Sequence, residues 1–196
     1  PILVATGNQI YCPGSQMKIV TNMTITDPDD TGIDAIYIQI SSGYVNGQDI
    51  LTLTGTHPTI ATSWDALTGK LTLTGISAQP TYVDLIAAIE DVVFSNSSAN
   101  PTGVRTFSIT VGQANYLPSN GHYYEYVPNI GITWSAARTA AANRTYYGLQ
   151  GYLATITAPD EAQLSGEQAA GAGWIGGSDE EIEGIWKWMT GPEIGN

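Results

Sequence analysis

Hydrophobic and polar positions alternate along much of the first half of the chain. Residues 35–40 carry isoleucine at every second position, which places the isoleucines on one face of a predicted strand. Residues 51–55 and 71–75 are short runs of alternating leucine and threonine that end at glycine. Residues 107–111 alternate in the same way. Many short strands separated by turn residues predict an all-β sandwich for residues 1–112.

Three segments change to the pattern of a helix. Residues 82–89 carry apolar side chains at helical spacing and follow Thr81, a predicted N-cap. Residues 133–146 are rich in alanine and begin with a threonine that is a second predicted N-cap. A further helix is expected from Pro159, because proline suits the first helical turn and acidic residues follow it at the positive end of the helix dipole.

The change of pattern divides the chain into two predicted domains. Residues 1–112 form the β-sandwich, and residues 113–120 form a short polar connector. Residues 121–127 read as the first strand of a second domain, which continues with the alanine-rich helix. Residues 121–196 are therefore expected to form an α+β domain.

The charge balance bears on the partners of the protein. The chain of 196 residues carries 6 Lys and Arg residues against 18 Asp and Glu residues, for a net charge of −12. This charge opposes binding to nucleic acid or to anionic lipid. It suits a soluble surface protein that meets divalent cations. The simpler alternative is that the acidic residues only keep the protein soluble. No apolar run approaches the ~18 residues of a membrane-spanning helix, so membrane insertion of this segment is not expected.

The start of the chain and its cysteine content fit an extracellular protein. The chain begins at Pro1 without a basic and then apolar leader, as a mature protein does after removal of its signal peptide. A trimmed chain would look the same. Cys12 is the single cysteine, so no intrachain disulfide is expected. We predict that its thiol is buried as a small apolar group.

An acidic loop is the first candidate site. Residues 27–32 read Asp-Pro-Asp-Asp-Thr-Gly, and hard cations such as calcium take six to eight oxygen ligands of the kind that this loop supplies. An EF-hand would need glutamate where the chain has Ile38, so that motif is excluded. A different calcium site is predicted instead, with the candidate ligands Asp27, Asp29, Asp30 and Asp34. The alternative is a solvated turn between two strands.

Five sequence pieces in the second half of the chain occur in a fixed order. They are a Trp-x-x-Ala helix, a Gly-x-Leu-Ala-x-Ile segment, an acidic helix, a Trp-Ile-Gly segment and a Glu-Gly-x-Trp-x-Trp strand. In this order they resemble the C-type lectin-like domain. The residues that carry the resemblance are Trp134, Gly151, Leu153, Ala154, Trp174, Ile175, Gly176, Gly184, Trp186 and Trp188.

The lectin resemblance implies several properties of this domain. Its tryptophans are expected to fill the core rather than to stack on sugar rings. Residues 179–183 are acidic and lie where some members bind calcium, with a polar turn as the alternative. The main sugar and calcium site of the family comes from later Glu-Pro-Asn and Trp-Asn-Asp motifs. The carbohydrate-binding residues are therefore expected beyond Asn196, the domain is expected to be truncated at its C-terminal side, and the native protein is expected to continue.

The first predicted domain resembles a second family, the cadherin-like, immunoglobulin-fold modules of large bacterial surface proteins. The match rests on residues 25–29, 69–75 and 82–96 and covers most of residues 1–112. A module of this kind followed by a C-type lectin-like domain resembles the cell-surface adhesins of gliding bacteria. Those adhesins leave the cell by type 9 secretion, so the resemblance implies an extracellular location on a bacterial surface.

Together these resemblances imply a secreted adhesin that binds surface glycans with the help of calcium. The alternative is a non-catalytic stalk or protein-interaction module whose lectin fold binds no sugar. The expected partners are surface glycans or another extracellular protein, together with the secretion machinery. No enzyme activity is predicted, because His57 and His122 lack the spacing of metal ligands and the chain has no nucleophile motif.

Overall fold

The computed structural model describes all 196 residues of the chain. They divide into two compact units, Pro1–Tyr123 and Tyr124–Asn196. Strands account for 32% of the residues and helices for 14%, and the strands form several small antiparallel sheets, so the fold is mostly β. No helix is both long enough and apolar enough to cross a membrane. The predicted connector at residues 113–120 contains a short strand, and the predicted domain boundaries stay predictions.

The strands of the first unit form two larger sheets and two strand pairs. They are β1 (Ile2–Thr6), β2 (Met17–Lys18), β3 (Asn22–Thr26), β4 (Ala35–Ser42), β5 (Asp49–Leu53), β6 (Ile60–Asp65), β7 (Lys70–Gly75), β8 (Val92–Asn96), β9 (Thr106–Thr110) and β10 (Asn115–Leu117). One sheet has the order β6-β7-β4-β9, another has the order β2-β8-β5, and β1 pairs with β3. The strand β11 (His122–Tyr124) pairs with β10. The four strands predicted from alternation correspond to β4, β5, β7 and β9.

The alternating side chains of β4 lie at the centre of the first core. Ile36, Ile38 and Ile40 have no exposed surface, as the alternation predicts. In antiparallel register, Ile36 lies opposite Leu73 and Ile38 lies opposite Leu71 of β7. The period-two pattern therefore identifies the buried face of this strand correctly.

Helix α1 (Tyr82–Glu90) begins where the sequence predicts. Thr81 Oγ1 accepts a hydrogen bond from the Asp84 amide at 3.2 Å, which confirms the predicted N-cap. Leu85 and Ile89, one turn apart on the helix, have no exposed surface and belong to the same core as the β4 isoleucines. The first residue of this helix, Tyr82, lies beside the acidic loop described below.

The other face of β4 is covered as well. Gln39 is 2% exposed and lies opposite Lys70 of β7. The ammonium of Lys70 donates to the Gln113 carbonyl at 2.7 Å and to Asn115 Oδ1. Burial lowers the pKa of Lys70 to about 8, and the negative charge of Asp65 opposes this shift. A cation is therefore held in surroundings that disfavour its charge.

The lowered pKa of Lys70 predicts that the stability of the protein depends on pH. The lysine titrates near ~10.4 in the unfolded chain and near 8 in the folded protein, so the unfolded state binds more protons between these values. We expect the free energy of unfolding to rise by about 2 kcal/mol from about pH 8 to about pH 10, and this gain to be lost as the pH falls through 8. Denaturant titrations at both pH values measure it. Lys70→Met should lack the rise, and an equal rise in this variant would assign it to other groups.

The second unit contains shorter elements. They are helix α2 (Trp134–Ala142), strands β12 (Thr145–Tyr146) and β13 (Leu149–Gln150), helix α3 (Pro159–Ala162), a π-helical turn (Gln163–Glu167), and strands β14 (Gly177–Ser178) and β15 (Lys187–Trp188). The two hairpins β12–β13 and β14–β15 are antiparallel. Helices and very short hairpins therefore follow one another along this unit.

Both predicted helix starts of the second unit are confirmed. Thr133 Oγ1 accepts a hydrogen bond from the Ala136 amide at 3.3 Å, which caps α2. Pro159 is the first residue of α3, where its missing amide hydrogen costs no helical hydrogen bond. Helix α2 ends earlier than predicted, because Asn143 forms its C-cap and the chain then turns into β12.

The tryptophans of the second unit are less buried than predicted. Trp174 is 52% exposed and Trp186 is 68% exposed, so the prediction that they fill the core is wrong for both. Strands β14 and β15 contain two residues each, and a hairpin of this length covers little of a large ring. Leu164 is the fully buried apolar side chain of this unit. The core here is consequently smaller than the abundance of tryptophan indicates.

The prediction for Cys12 is also wrong. Its thiol is free and exposed to solvent. The residue lies in a turn in which Ser15 donates its amide and its hydroxyl to the Cys12 carbonyl, at 3.1 and 2.6 Å. Turns run over the protein surface, so the side chain that they carry remains outside the core even when it is apolar.

Candidate functional site

The loop after β3 gathers three carboxylates on the first unit. Carboxylate oxygens of Asp27, Asp29 and Asp30 lie within 4.8 Å of one another. The hydroxyl of Tyr82 donates to Asp27 Oδ2 at 2.7 Å. The amide of Tyr82 donates to the Thr31 carbonyl at 2.9 Å. These two hydrogen bonds therefore hold the loop, which follows β3, against the start of α1.

Hydrogen bonds inside this loop shift the pKa values of its acids. The hydrogen bond from Asp29, followed by that from Tyr82, holds the pKa of Asp27 below its usual range. The same contact with Asp27 raises the pKa of Asp29, and the bond to Asp27 raises the pKa of Tyr82 to about 12. The like charges of the two aspartates repel each other at this distance. A divalent cation would relieve this repulsion, with two oxygens available from each carboxylate.

Asp34, the fourth predicted ligand, lies outside this group. Its Oδ1 accepts a hydrogen bond from Gln79 Nε2 at 2.9 Å. Within the group, Asp27 Oδ2 lies 3.0 Å from the Pro1 amine. The amide of Asp29 also donates to Asp27 Oδ1 at 3.4 Å, as in an Asx-turn. The loop therefore has the geometry of a solvated turn as well as the carboxylate grouping of a cation site.

The lectin-like sequence pieces meet in the second unit through hydrogen bonds. The Gly176 amide donates to the Ala154 carbonyl at 2.8 Å, and the Met189 amide donates to the Gly176 carbonyl at 2.8 Å. Thr190 Oγ1 donates to the Leu153 carbonyl at 2.8 Å. The Trp-Ile-Gly segment consequently lies between the Gly-x-Leu-Ala segment and the end of the Trp-x-Trp strand.

Gly151, a second glycine of the motifs, lies where its backbone closely approaches the backbone at the end of α2. A Cβ atom at this position would lie 2.6 Å from the Ala141 carbonyl oxygen and 3.1 Å from that of Arg144. The Gly151 amide donates to the same Arg144 carbonyl at 2.9 Å. A side chain would therefore separate this segment from the end of α2.

Two indole groups join the start of α2 to the same region. Trp134 Nε1 donates to the Ile175 carbonyl at 2.9 Å. In return, Trp174 Nε1 donates to the Ile132 carbonyl at 2.8 Å. These bonds need the indole N–H, which phenylalanine lacks. They explain why tryptophan stands at both positions even though Trp174 is not a core residue.

The acidic residues 179–183 stabilise a turn. Gly184 has a φ of +82°, which favours glycine, and its amide donates to Asp179 Oδ2 at 3.1 Å. Glu181 pairs with the Lys187 ammonium at 2.6 Å, and this pairing lowers the pKa of Glu181. These carboxylates do not form a potential metal group as those of the loop after β3 do. The geometry favours the polar-turn interpretation for this segment.

A groove along one face of α2 is a feature that the sequence patterns do not reveal. Its volume is about 380 Å³, and it is lined by α2 together with the turn between β14 and β15. The lining residues with polar or aromatic side chains are Trp134, Ser135, Arg138, Thr139, Asn143 and Glu180. The one local signal for it is the i, i+4 spacing of the tryptophan and the arginine, which places both on one helix face.

Comparison with known proteins gives one informative similarity. No protein-family profile matches the chain, and no solved structure matches it. Halomucin from Haloquadratum walsbyi is 37% identical over 183 residues, which cover 88% of this chain and 2% of Halomucin. The chain therefore spans a very small part of that relative's length. Because 88% of the chain is aligned, the similarity extends into both units.

Proposed function

We propose that the chain is part of a secreted cell-surface adhesin and that its second unit is a C-type lectin-like module that binds carbohydrate. The observation that carries this proposal is the position of Gly176, which hydrogen-bonds to the neighbouring motif segments on both sides. The similarity to Halomucin, whose name denotes a mucin, supports a surface or secreted location. Export by type 9 secretion stays a prediction.

The first unit is proposed to be a cadherin-like, immunoglobulin-fold module. Its four-stranded and three-stranded antiparallel sheets, together with the core of β4 and α1, support this proposal.

A glycan array with the intact protein tests the proposed function. We expect binding in millimolar calcium, loss of binding in chelator, and competition by free sugar, as the lectin resemblance implies. An array that stays blank with calcium present would contradict calcium-dependent carbohydrate recognition by the intact protein.

Exposed apolar side chains favour a second candidate, a stalk or protein-interaction module. Ile175, Ile182 and Ile185 are 46%, 56% and 50% exposed, in the same part of the sequence as the exposed Trp186. Exposed apolar side chains of this kind suit contact with another protein. Retention of the protein on cell surfaces from which the glycans have been removed, together with a blank array, would favour this candidate.

We further propose that Asp27, Asp29 and Asp30 bind calcium. A loop of this type would bind in the weak extracellular range, with a dissociation constant of ~10⁻⁴–10⁻³ M. Calcium at about 10 mM would then stabilise the folded protein by about 1.4–2.7 kcal/mol and raise the Tm by several degrees. Thermal unfolding in chelator and in calcium measures the shift.

Matched variants identify the ligands of this site. Replacing both Asp29 and Asp30 by asparagine should remove the calcium-dependent shift in Tm. Asp34→Asn should keep it, because that carboxylate lies outside the group and accepts from Gln79. Asp27 is left unchanged, since the Tyr82 hydroxyl also bonds to it. Equal Tm values in chelator and in calcium would assign the loop to a solvated turn.

A further inference from the structure

The groove along α2 has a fixed aromatic surface with a cation beside it. Trp134, the first residue of α2, is held by its bond to the Ile175 carbonyl at 2.9 Å. One turn later, the guanidinium carbon of Arg138 lies 5.5 Å from the centre of the Trp134 ring. The volume of about 380 Å³ falls in the range of ~300–1,000 Å³ that is typical of small-ligand sites.

Arg138 differs from the other cationic side chains in having no polar partner. The chain contains only 6 Lys and Arg residues against 18 Asp and Glu residues. Lys70 donates hydrogen bonds, and the cations that form salt bridges are Lys18, Arg105, Arg144 and Lys187. The Arg138 side chain makes no salt bridge and no hydrogen bond, and contacts the Trp134 ring instead. Its five N–H donors are therefore available to a ligand.

An unpaired acceptor lines the same groove. The amide of Glu180 donates to Ser178 Oγ at 3.1 Å, but its carboxylate makes no hydrogen bond or salt bridge, even with Arg138. The side-chain amide of Asn143, at the C-cap of α2, also has no hydrogen-bond partner in the protein. The groove thus combines a charged hydrogen-bond donor, a charged acceptor and an amide that can both donate and accept hydrogen bonds.

These groups suit a neutral sugar better than an ionic ligand. The C–H face of a pyranose ring is apolar and packs well on an indole such as that of Trp134. Its hydroxyl groups can donate to Glu180 and can accept from Arg138. An anion would be repelled by Glu180 and by the net charge of −12, whereas a cation would be repelled by Arg138.

We propose that the groove along α2 binds a neutral pyranose ring without calcium. The inference rests on the proposed carbohydrate-binding function and adds to it a second sugar site, which would still bind in chelator after the calcium-dependent binding is lost. It places that site within this chain, whereas the lectin resemblance places the sugar-binding residues beyond Asn196. Calcium is not required, because the carboxylates that form a potential metal group belong to the loop after β3 and not to this groove.

Saturation-transfer NMR of the 196-residue chain in chelator tests this site. The probes are the methyl pyranosides of glucose, galactose and mannose, and we expect transfer to at least one of them. Arg138→Ala and Glu180→Gln should each weaken binding by about 10-fold or more, since hydrogen bonds to charged groups are the strong ones. Glu183→Gln is the matched control, because it removes an exposed acid from the same turn, outside the groove lining, and should leave binding unchanged.

The possible results separate this site from the proposed function. Transfer that falls in the Arg138 and Glu180 variants, but not in Glu183→Gln, supports the groove. Equal transfer in all variants, or no transfer at all, overturns the groove, and a calcium-dependent signal on the glycan array would then preserve the proposed function at another site. A blank array combined with groove-dependent transfer would preserve the groove and contradict calcium-dependent recognition.

Discussion

Asp49→Ala is expected to destabilise the first unit by about 3–5 kcal/mol. The Asp49 side chain has no exposed surface and accepts hydrogen bonds from Arg105 Nε at 2.8 Å and from Arg105 Nη2 at 3.3 Å. It also accepts from the Val45 amide at 2.8 Å and from the side-chain amide of Asn96. Removing the carboxylate leaves a guanidinium that is only 10% exposed without its counter-charge, and leaves buried donors without an acceptor. Hydrogen exchange of the β5 and β8 amides measures the loss locally.

An exposed ion pair in the same unit provides the control for this variant. Lys18 pairs with Asp91 at 2.9 Å, and their side chains are 56% and 35% exposed. Because both groups remain hydrated, Lys18→Ala should cost no more than about 1 kcal/mol. Equal losses in the two variants would mean that burial does not determine the strength of the Asp49 contact.

The parts of the fold that the sequence predicts are those with local signals. The isoleucines of β4 alternate within six positions, and Thr81 and Thr133 each stand next to the helix that they cap. The pairing of Asp49 with Arg105 has no such signal, because 56 positions separate the two residues. A charged residue next to a predicted strand gives no indication that a partner 56 positions away will help to bury it.

The candidate sites follow the same rule. Asp27, Asp29 and Asp30 lie within four positions, so the sequence identifies them as a group. The sequence does not reveal that Asp34 lies outside this group and accepts a hydrogen bond from Gln79. The groove along α2 depends on Glu180 reaching a helix that is distant in sequence, which no local pattern reports. Apolarity alone also misplaces Trp174 and Trp186, because burial depends on how much surrounding structure is present to cover a ring.

Gly176→Ala is expected to destabilise the second unit by about 3 kcal/mol. A Cβ atom at this position would lie 2.2 Å from Thr190 Oγ1 and 2.9 Å from the Leu153 carbonyl oxygen. These two atoms are bonded to each other at 2.8 Å, so neither can move aside without loss of that hydrogen bond. Hydrogen exchange of the Met189 amide, which donates to the Gly176 carbonyl, reports the effect inside the unit.

Gly166→Ala is the matched control for that variant. Outside its chain neighbours and the backbone of its own helical turn, no atom lies within 4 Å of the position that its Cβ would take, and its φ is not positive. The substitution should therefore leave stability unchanged or raise it by about 0.4–1 kcal/mol, since alanine restricts the unfolded chain. If Gly176→Ala behaved like this control, the close approach between the Trp-Ile-Gly and Gly-x-Leu-Ala segments would be contradicted. The observation that carries the proposed lectin-like module would then be lost, because a looser arrangement would not require glycine at that position.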